Sequence, residues 1–133
     1  AIGWPATAED ARMSIEDVIT RAYVEGIHKE GNAEKIRSGF HQDFTMFVHA
    51  DEGILQITRD QWIARIEEGQ RKNPDREKPE VGHEFSLVDI TGNAAVARVE
   101  LHRDGKHTFT DYLSLYRFDD GWKIIAKTFF RHP

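Results

Sequence analysis

The stretch Asp111 to Phe130 constrains this chain more than any other part of it. Asp111–Phe118 and Trp122–Phe130 are rich in aromatic and β-branched residues, and they flank a short turn, Asp119-Asp120-Gly121. Two such runs around a glycine-ended turn predict a β-hairpin. The rest of the fold is read outward from it.

Residues Ala1–Ala6 form an irregular lead. Thr7 caps a first helix, with Glu9 and Asp10 in its first turn, and Ile15, Val18, Ile19, Ala22, Tyr23 and Ile27 follow helical spacing. Gly31 stops that helix, Asn32 caps a short second one to Ser38, and Gly39 and Phe40 leave it. Phe44–Val48 and Ile54–Ile57 read as two short strands around the turn His49–Gly53. Thr58 with Gln61 is a capping-box pair opening a third helix, with Trp62, Ile63 and Ile66 inward. Residues 68–80, polar and with two prolines, read as an exposed loop. Strands follow at Val81–Ile90, Ala94–Arg103, Lys106–Phe118 and Trp122–Phe130, with Asp104-Gly105 a tight two-residue turn. Helices followed by an antiparallel meander give an α+β fold. The 133 residues make one domain, 1–133, with no internal repeat.

Hydrophobic residues make up 39% and charged residues 31%, as in a soluble globular protein. The net charge of −5, with both signs interspersed, argues against nucleic acid as a partner. No apolar run approaches the roughly 18 residues of a membrane span. The absence of cysteine excludes disulfides, thiolate zinc sites and a cysteine nucleophile, and leaves the compartment open. The start at Ala1 suits either a mature terminus or a trimmed product.

The turns set a register, and the register sets two faces. Regular pairing from Asp104-Gly105 places Glu100 opposite Phe109 and Arg98 opposite Asp111, and the Gly121 turn places Phe118 opposite Trp122. One face then carries Ala95, Ala97, Val99 and Leu101 with Thr110, Tyr112, Ser114, Tyr116 and Thr128, and has no formal charge. Small residues beside hydroxyls suggest a ligand pocket under the helices. The other face carries Val96, Arg98, Asp111, Leu113, Leu115, Ile125, Lys127 and Phe129. Large apolar groups mixed with charges there suggest burial against a second copy of the chain.

At these strands the chain resembles the nuclear-transport-factor-2-like (NTF2-like) superfamily, and within it the group labelled putative lumazine-binding, close to the polyketide-cyclase-like members. The features that carry the resemblance are Tyr23-Val24-Glu25-Gly26, the short helix with Phe40 after it, Gly92–Ala97, Asp111–Leu115 and Gly121–Ile124. The resemblance spans about Ala11 to Phe130. It implies a cone: a curved antiparallel sheet wrapped around three N-terminal helices, enclosing an apolar cavity, with frequent dimerisation through the outer sheet face. It leaves chemistry open, because members include isomerases, dehydratases, cyclases and proteins without known activity.

On that basis the expected cavity residues are Tyr23, Phe40 and Trp62 from the helical side and Thr110, Tyr112, Ser114, Tyr116 and Thr128 from the sheet. His41, Asp43 and His49 would lie near the mouth, as candidates for a general base and its partner. His102 and His107 are cross-strand neighbours that could share a metal, but a third ligand is missing, since Glu100 sits on the same face two residues along, so neither metal nor cofactor is expected. No carboxylate falls on the uncharged face, which puts a buried-carboxylate proton transfer in doubt. Three readings stay open: a binding protein for a small apolar or aromatic ligand; an isomerase, cyclase or dehydratase acting on a hydrophobic cyclic or carbonyl substrate; and a dimerisation module without ligand.

Overall fold

The computed structural model describes residues 7–133; the expected irregular lead lies outside the described residues. Helix α1, Ala8–Val18, begins at Thr7, whose hydroxyl accepts from the Asp10 amide. It continues without a break into a π-helical segment, Ile19–Glu30, ended by Gly31 in the left-handed conformation. Helix α2, Ala33–Gly39, is capped by Asn32. Strands β1, Phe40–Ala50, and β2, Gly53–Thr58, form the first hairpin. Helix α3, Arg59–Lys72, opens with the full capping box of Thr58 and Gln61. It runs several residues into the stretch read as loop, because Glu68, Gln70, Arg71 and Lys72 are good helix formers that outweigh Gly69. Strands β3, Val81–Thr91, β4, Ala94–Arg103, β5, Lys106–Phe118, and β6, Gly121–Arg131, complete the chain.

The six strands form one sheet in the order β2-β1-β6-β5-β4-β3. All neighbours are antiparallel except β1 and β6, which pair in parallel in the middle of an open sheet edged by β2 and β3. The helices cover one face, and the α+β cone expected from the sequence is present. Gly39 shows how closely they pack: a Cβ there would lie 2.4 Å from the Ala22 Cβ.

The two faces differ from the expectation, and the cause is a pair of β-bulges. Arg103 pairs with Lys106 and His102 with His107, as regular pairing predicts, but Leu101 then pairs with Phe109. Thr108 is an extra residue on β5, and from it onward every β5 side chain lies opposite to its expected side. A second bulge follows on β6, where Ser114 pairs with Ala126 and Leu115 with Ile124, leaving Ile125 over. The turn before it spans Asp119-Asp120, so Phe118 pairs with Gly121 rather than Trp122.

The inner face of β5 therefore carries Phe109, Asp111, Leu113 and Leu115, of which the last three are at most 1% exposed. Tyr112 and Tyr116 are 43% and 46% exposed on the outer face, in the company of Ser114, Thr110 and Thr128. The expected lining from β5 thus faces away from the helices. Of the expected interface, Asp111, Leu113, Leu115 and Lys127 are core, Phe129 packs against it and Ile125 is half-buried at the bulge. Val96 and Arg98 stay outside, opposite Ser114 and Tyr112. The β4 assignment, with Ala97, Val99 and Leu101 inward, agrees with the structure because β4 precedes the bulge mismatch.

Candidate functional site

The inner face brings a carboxylate, an ammonium and a phenol together under the helices. Asp111 pairs with Phe129 and Leu113 with Lys127, so Asp111 and Lys127 are diagonal neighbours on adjacent strands. Tyr23 descends on them from the π-helical segment. Its hydroxyl donates to Asp111 Oδ2 at 2.5 Å and accepts from Lys127 Nζ at 2.8 Å. Lys127 Nζ is 3.8 Å from Asp111 Oδ1, an ion-pair distance too long for a hydrogen bond, and that oxygen has no hydrogen-bond partner among the described residues.

Burial dominates the electrostatics here. Tyr23 and Asp111 are fully buried and Lys127 is 5% exposed. Burial raises the Asp111 carboxyl above its ordinary range, with Lys127 and the Tyr23 hydrogen bond pulling the other way. Burial also lowers the Lys127 ammonium to about 8, with Asp111 opposing the shift and Arg103 adding to it. Tyr23 is raised well above its usual value by burial and by the adjacent Asp111. Four aromatic rings surround the Lys127 ammonium: Tyr23 at 4.7 Å, Trp62 at 4.8 Å, Phe129 at 4.9 Å and Phe109 at 6.0 Å.

Lys127 also lines a cavity of 940 Å³ between the sheet, the end of the π-helical segment and α3. Met46, Ile57, Trp62, Ile66, Phe109 and Phe129 supply its apolar wall. Its other polar wall groups include His28 and Arg103. Arg103 Nη2 lies 3.0 Å from His28 Nδ1, and a guanidinium only donates, so Nδ1 is the acceptor and the proton sits on Nε2. Burial, then Lys127 and Arg103, lower His28 to about 3, so the imidazole is neutral at physiological pH.

The cavity and the sequence-derived list overlap at Trp62. Tyr23 stands behind Lys127, and Phe40 is core, packed edge-on against Phe44 and Trp62. Thr110, Tyr112, Ser114, Tyr116 and Thr128 lie on the far side of the sheet. His41 stacks on Phe118 with its Nδ1 accepting from the Asp43 amide, His49 is exposed, and none of His41, Asp43 or His49 lines this cavity. The doubt over a buried carboxylate is overturned by Asp111. His28, Arg103 and Phe109 were missed as cavity residues. A usable signal for the β5 lining was the spacing of Phe109, Leu113 and Leu115, since aliphatic residues are buried far more often than tyrosines.

On the outer face, Glu100, His107 and His132 bring three possible ligand atoms within 4.8 Å of one another; His102, expected as the partner of His107, is not among them. Their own hydrogen bonds close the cluster: His107 Nε2 is 3.0 Å from Glu100 Oε1, and the Thr110 hydroxyl lies 2.5 Å from Glu100 and 2.8 Å from His132 Nε2. Among the described residues no helix is long and apolar enough to cross a membrane.

With this geometry in hand, comparisons with known proteins are informative about the fold. A structure of an NTF2-like protein of unknown function from Shewanella baltica OS155 superposes with a TM-score of 0.78, at 24% identity, covering 97% of this chain and 99% of that one. Another, from Silicibacter pomeroyi DSS-3, gives a TM-score of 0.73 at 20% identity, covering 95% and 99%. In sequence the chain is similar to aldolase FrzH of Cladobotryum sp, 23% identical over 112 residues, which is 84% of each chain. Residues 10–130 match the model of the family described as "Putative lumazine-binding". The chain belongs to that family, and its fold is that of the NTF2-like structures.

Proposed function

We propose that the cone binds a small carbonyl compound with an apolar body and that Lys127 acts on its carbonyl group. The observation that carries this reading is a buried amine, ringed by aromatic side chains and lowered to about 8, in the wall of a cavity. A lysine desolvated among apolar groups and beside another cation is an activated nucleophile. With an ordinary lysine value only a trace of amine exists at neutral pH; with a value of about 8, about a tenth is free at pH 7.

The Lys127 lone pair forms a bond to the carbonyl carbon, and the carbonyl π pair moves to oxygen. The nitrogen loses a proton, and two protons delivered to the oxygen let it leave as water, giving a protonated imine. Loss of a proton from the adjacent carbon then gives an enamine, the carbon nucleophile of an aldol-type reaction. The Tyr23 hydroxyl, in contact with Lys127 and Asp111, is placed to relay protons at the nitrogen. The similarity to a protein named as an aldolase supports this reading of the second, enzymatic alternative over simple binding.

Borohydride reduction in the presence of phenylacetaldehyde tests it. The expected result is a mass adduct on the peptide containing Lys127, absent in Lys127→Met. Adducts confined to surface lysines would overturn the assignment.

The outer sheet face suits a second copy of the chain. Tyr112, Tyr116 and the 57%-exposed Phe130 form an aromatic row on β5 and β6, which supports a homodimer built on these residues in place of Leu113 and Leu115.

A further inference from the structure

The chain is acidic overall, at −5, yet the wall and rim of the cone hold seven lysine and arginine side chains against two carboxylates. One of those two, Glu30, is already engaged by Lys35 at 2.9 Å. The Lys127 charge is balanced by Asp111, but Arg103 has no carboxylate at ion-pair distance among the described residues. Its guanidinium lies 5.4 Å from the centroid of the Phe109 ring, and that of Arg131 lies 5.6 Å from the same centroid. With Lys127 at 6.0 Å, three cations share this one ring, and only Lys127 has a carboxylate at ion-pair distance among the described residues.

The hydrogen-bond inventory points the same way. Arg103 spends one nitrogen on His28 Nδ1, while its Nε is buried and has no partner. The proton that this leaves on His28 Nε2 is likewise buried without an acceptor. Buried donors are rarely left unmet, because their desolvation is not repaid. The wall of the cavity thus holds an excess of positive charge, with Arg103 and Arg131 lacking a carboxylate partner among the described residues and two unmet N–H donors packed behind them.

We infer that the ligand of the cone is an oxo acid: a carbonyl compound whose carboxylate sits on Arg103, flanked by Arg131, while its carbonyl group meets Lys127 and its apolar body lies against Trp62, Phe109 and Phe129. The inference rests on the carbonyl reading of the same cavity. A guanidinium fits a carboxylate through two parallel N–H bonds, and an excess of cations around a cavity draws anions in from solvent. A carboxylate held there would stand beside the lysine, so the anion would also orient the carbonyl for attack.

The experiment compares 4-phenyl-2-oxobutanoate with its neutral ethyl ester, by calorimetry and by borohydride trapping, on the wild type, Arg103→Gln and Arg131→Gln. The acid should bind about tenfold more tightly than the ester, and its advantage should shrink with added salt. Arg103→Gln should abolish the advantage of the acid over the ester. Arg131→Gln, at an exposed position that does not threaten folding, should reduce it about threefold. Equal binding of acid and ester to the wild type, loss of both together in Arg103→Gln when its melting curve is intact, or no binding of either at millimolar concentration would overturn the inference. Preference for the acid without any Lys127 adduct would instead remove the amine chemistry and keep the anion site. Adducts formed equally by both would do the reverse.

Discussion

Lys127 Nζ lies closer to the Tyr23 hydroxyl, at 2.8 Å, than to the Asp111 carboxylate whose charge it balances, at 3.8 Å. The phenol bridges the pair, and both charges lie out of water. Removing one charge strands the other. Lys127→Met should lower the unfolding free energy at neutral pH by about 3–5 kcal/mol in urea titrations. Adding Asp111→Asn should recover most of that loss, since the amide keeps an acceptor for Tyr23 without a charge. A double variant no more stable than Lys127→Met would show that the pair is not coupled.

His28 makes stability depend on pH. Its value falls from 6.5 in the unfolded chain to about 3 in the folded one. Between these limits the unfolded state holds more protons, so stability rises with pH across that window and is lost as pH falls from 6.5 towards 3. The loss should amount to a few kcal/mol, partly offset by Asp111, whose raised value acts in the opposite sense. Imidazole NMR should show His28 neutral at pH 5, and His28→Asn should flatten the dependence of the urea midpoint on pH.

Adjacent residues on β5 should respond in opposite ways to the same substitution. Leu115 is 1% exposed and Tyr116 is 46% exposed. Leu115→Glu would bury an unpaired carboxylate and should yield no cooperatively folded protein by circular dichroism. Tyr116→Glu should keep wild-type stability to within about 0.5 kcal/mol while converting a dimer to a monomer in light scattering. A wild type that is monomeric at high concentration would remove the proposed pairing.

Gly39 should resist even the smallest side chain. A Cβ there meets the Ala22 Cβ at 2.4 Å, and both lie in elements packed against the core. Gly39→Ala should cost about 1–3 kcal/mol by forcing α2 away from the π-helical segment, measured as a lowered urea midpoint.

Element type was largely legible because caps, turns and periodicity are local. Thr7, Asn32 and the Thr58–Gln61 box all act as their sequence positions suggest. The π-helical winding of Ile19–Glu30 left no mark, since its side chains are ordinary helix formers and their spacing fits an α-helix nearly as well. The site was not legible because it depends on Thr108 and Ile125. An unpaired strand residue has no side-chain signature; Thr108 reads as any β-branched residue in a strand. The charge on Asp111 then reinforced the wrong choice of face, since an uncharged set looks like an interior when a buried ion pair is not foreseen. The family resemblance gave the cone but could not supply the residue count between Leu101 and Phe109.

One supernumerary residue near the tip of the β4–β5 hairpin has a consequence for comparing relatives of this chain. A homologue lacking it would present the alternate series of β5 side chains to the cavity. A gapless alignment through that hairpin would then match the interior of one protein with the exterior of the other, from position 109 to the end of the strand. Functional positions in such proteins should be matched by the direction in which they project, not by the column in which they fall.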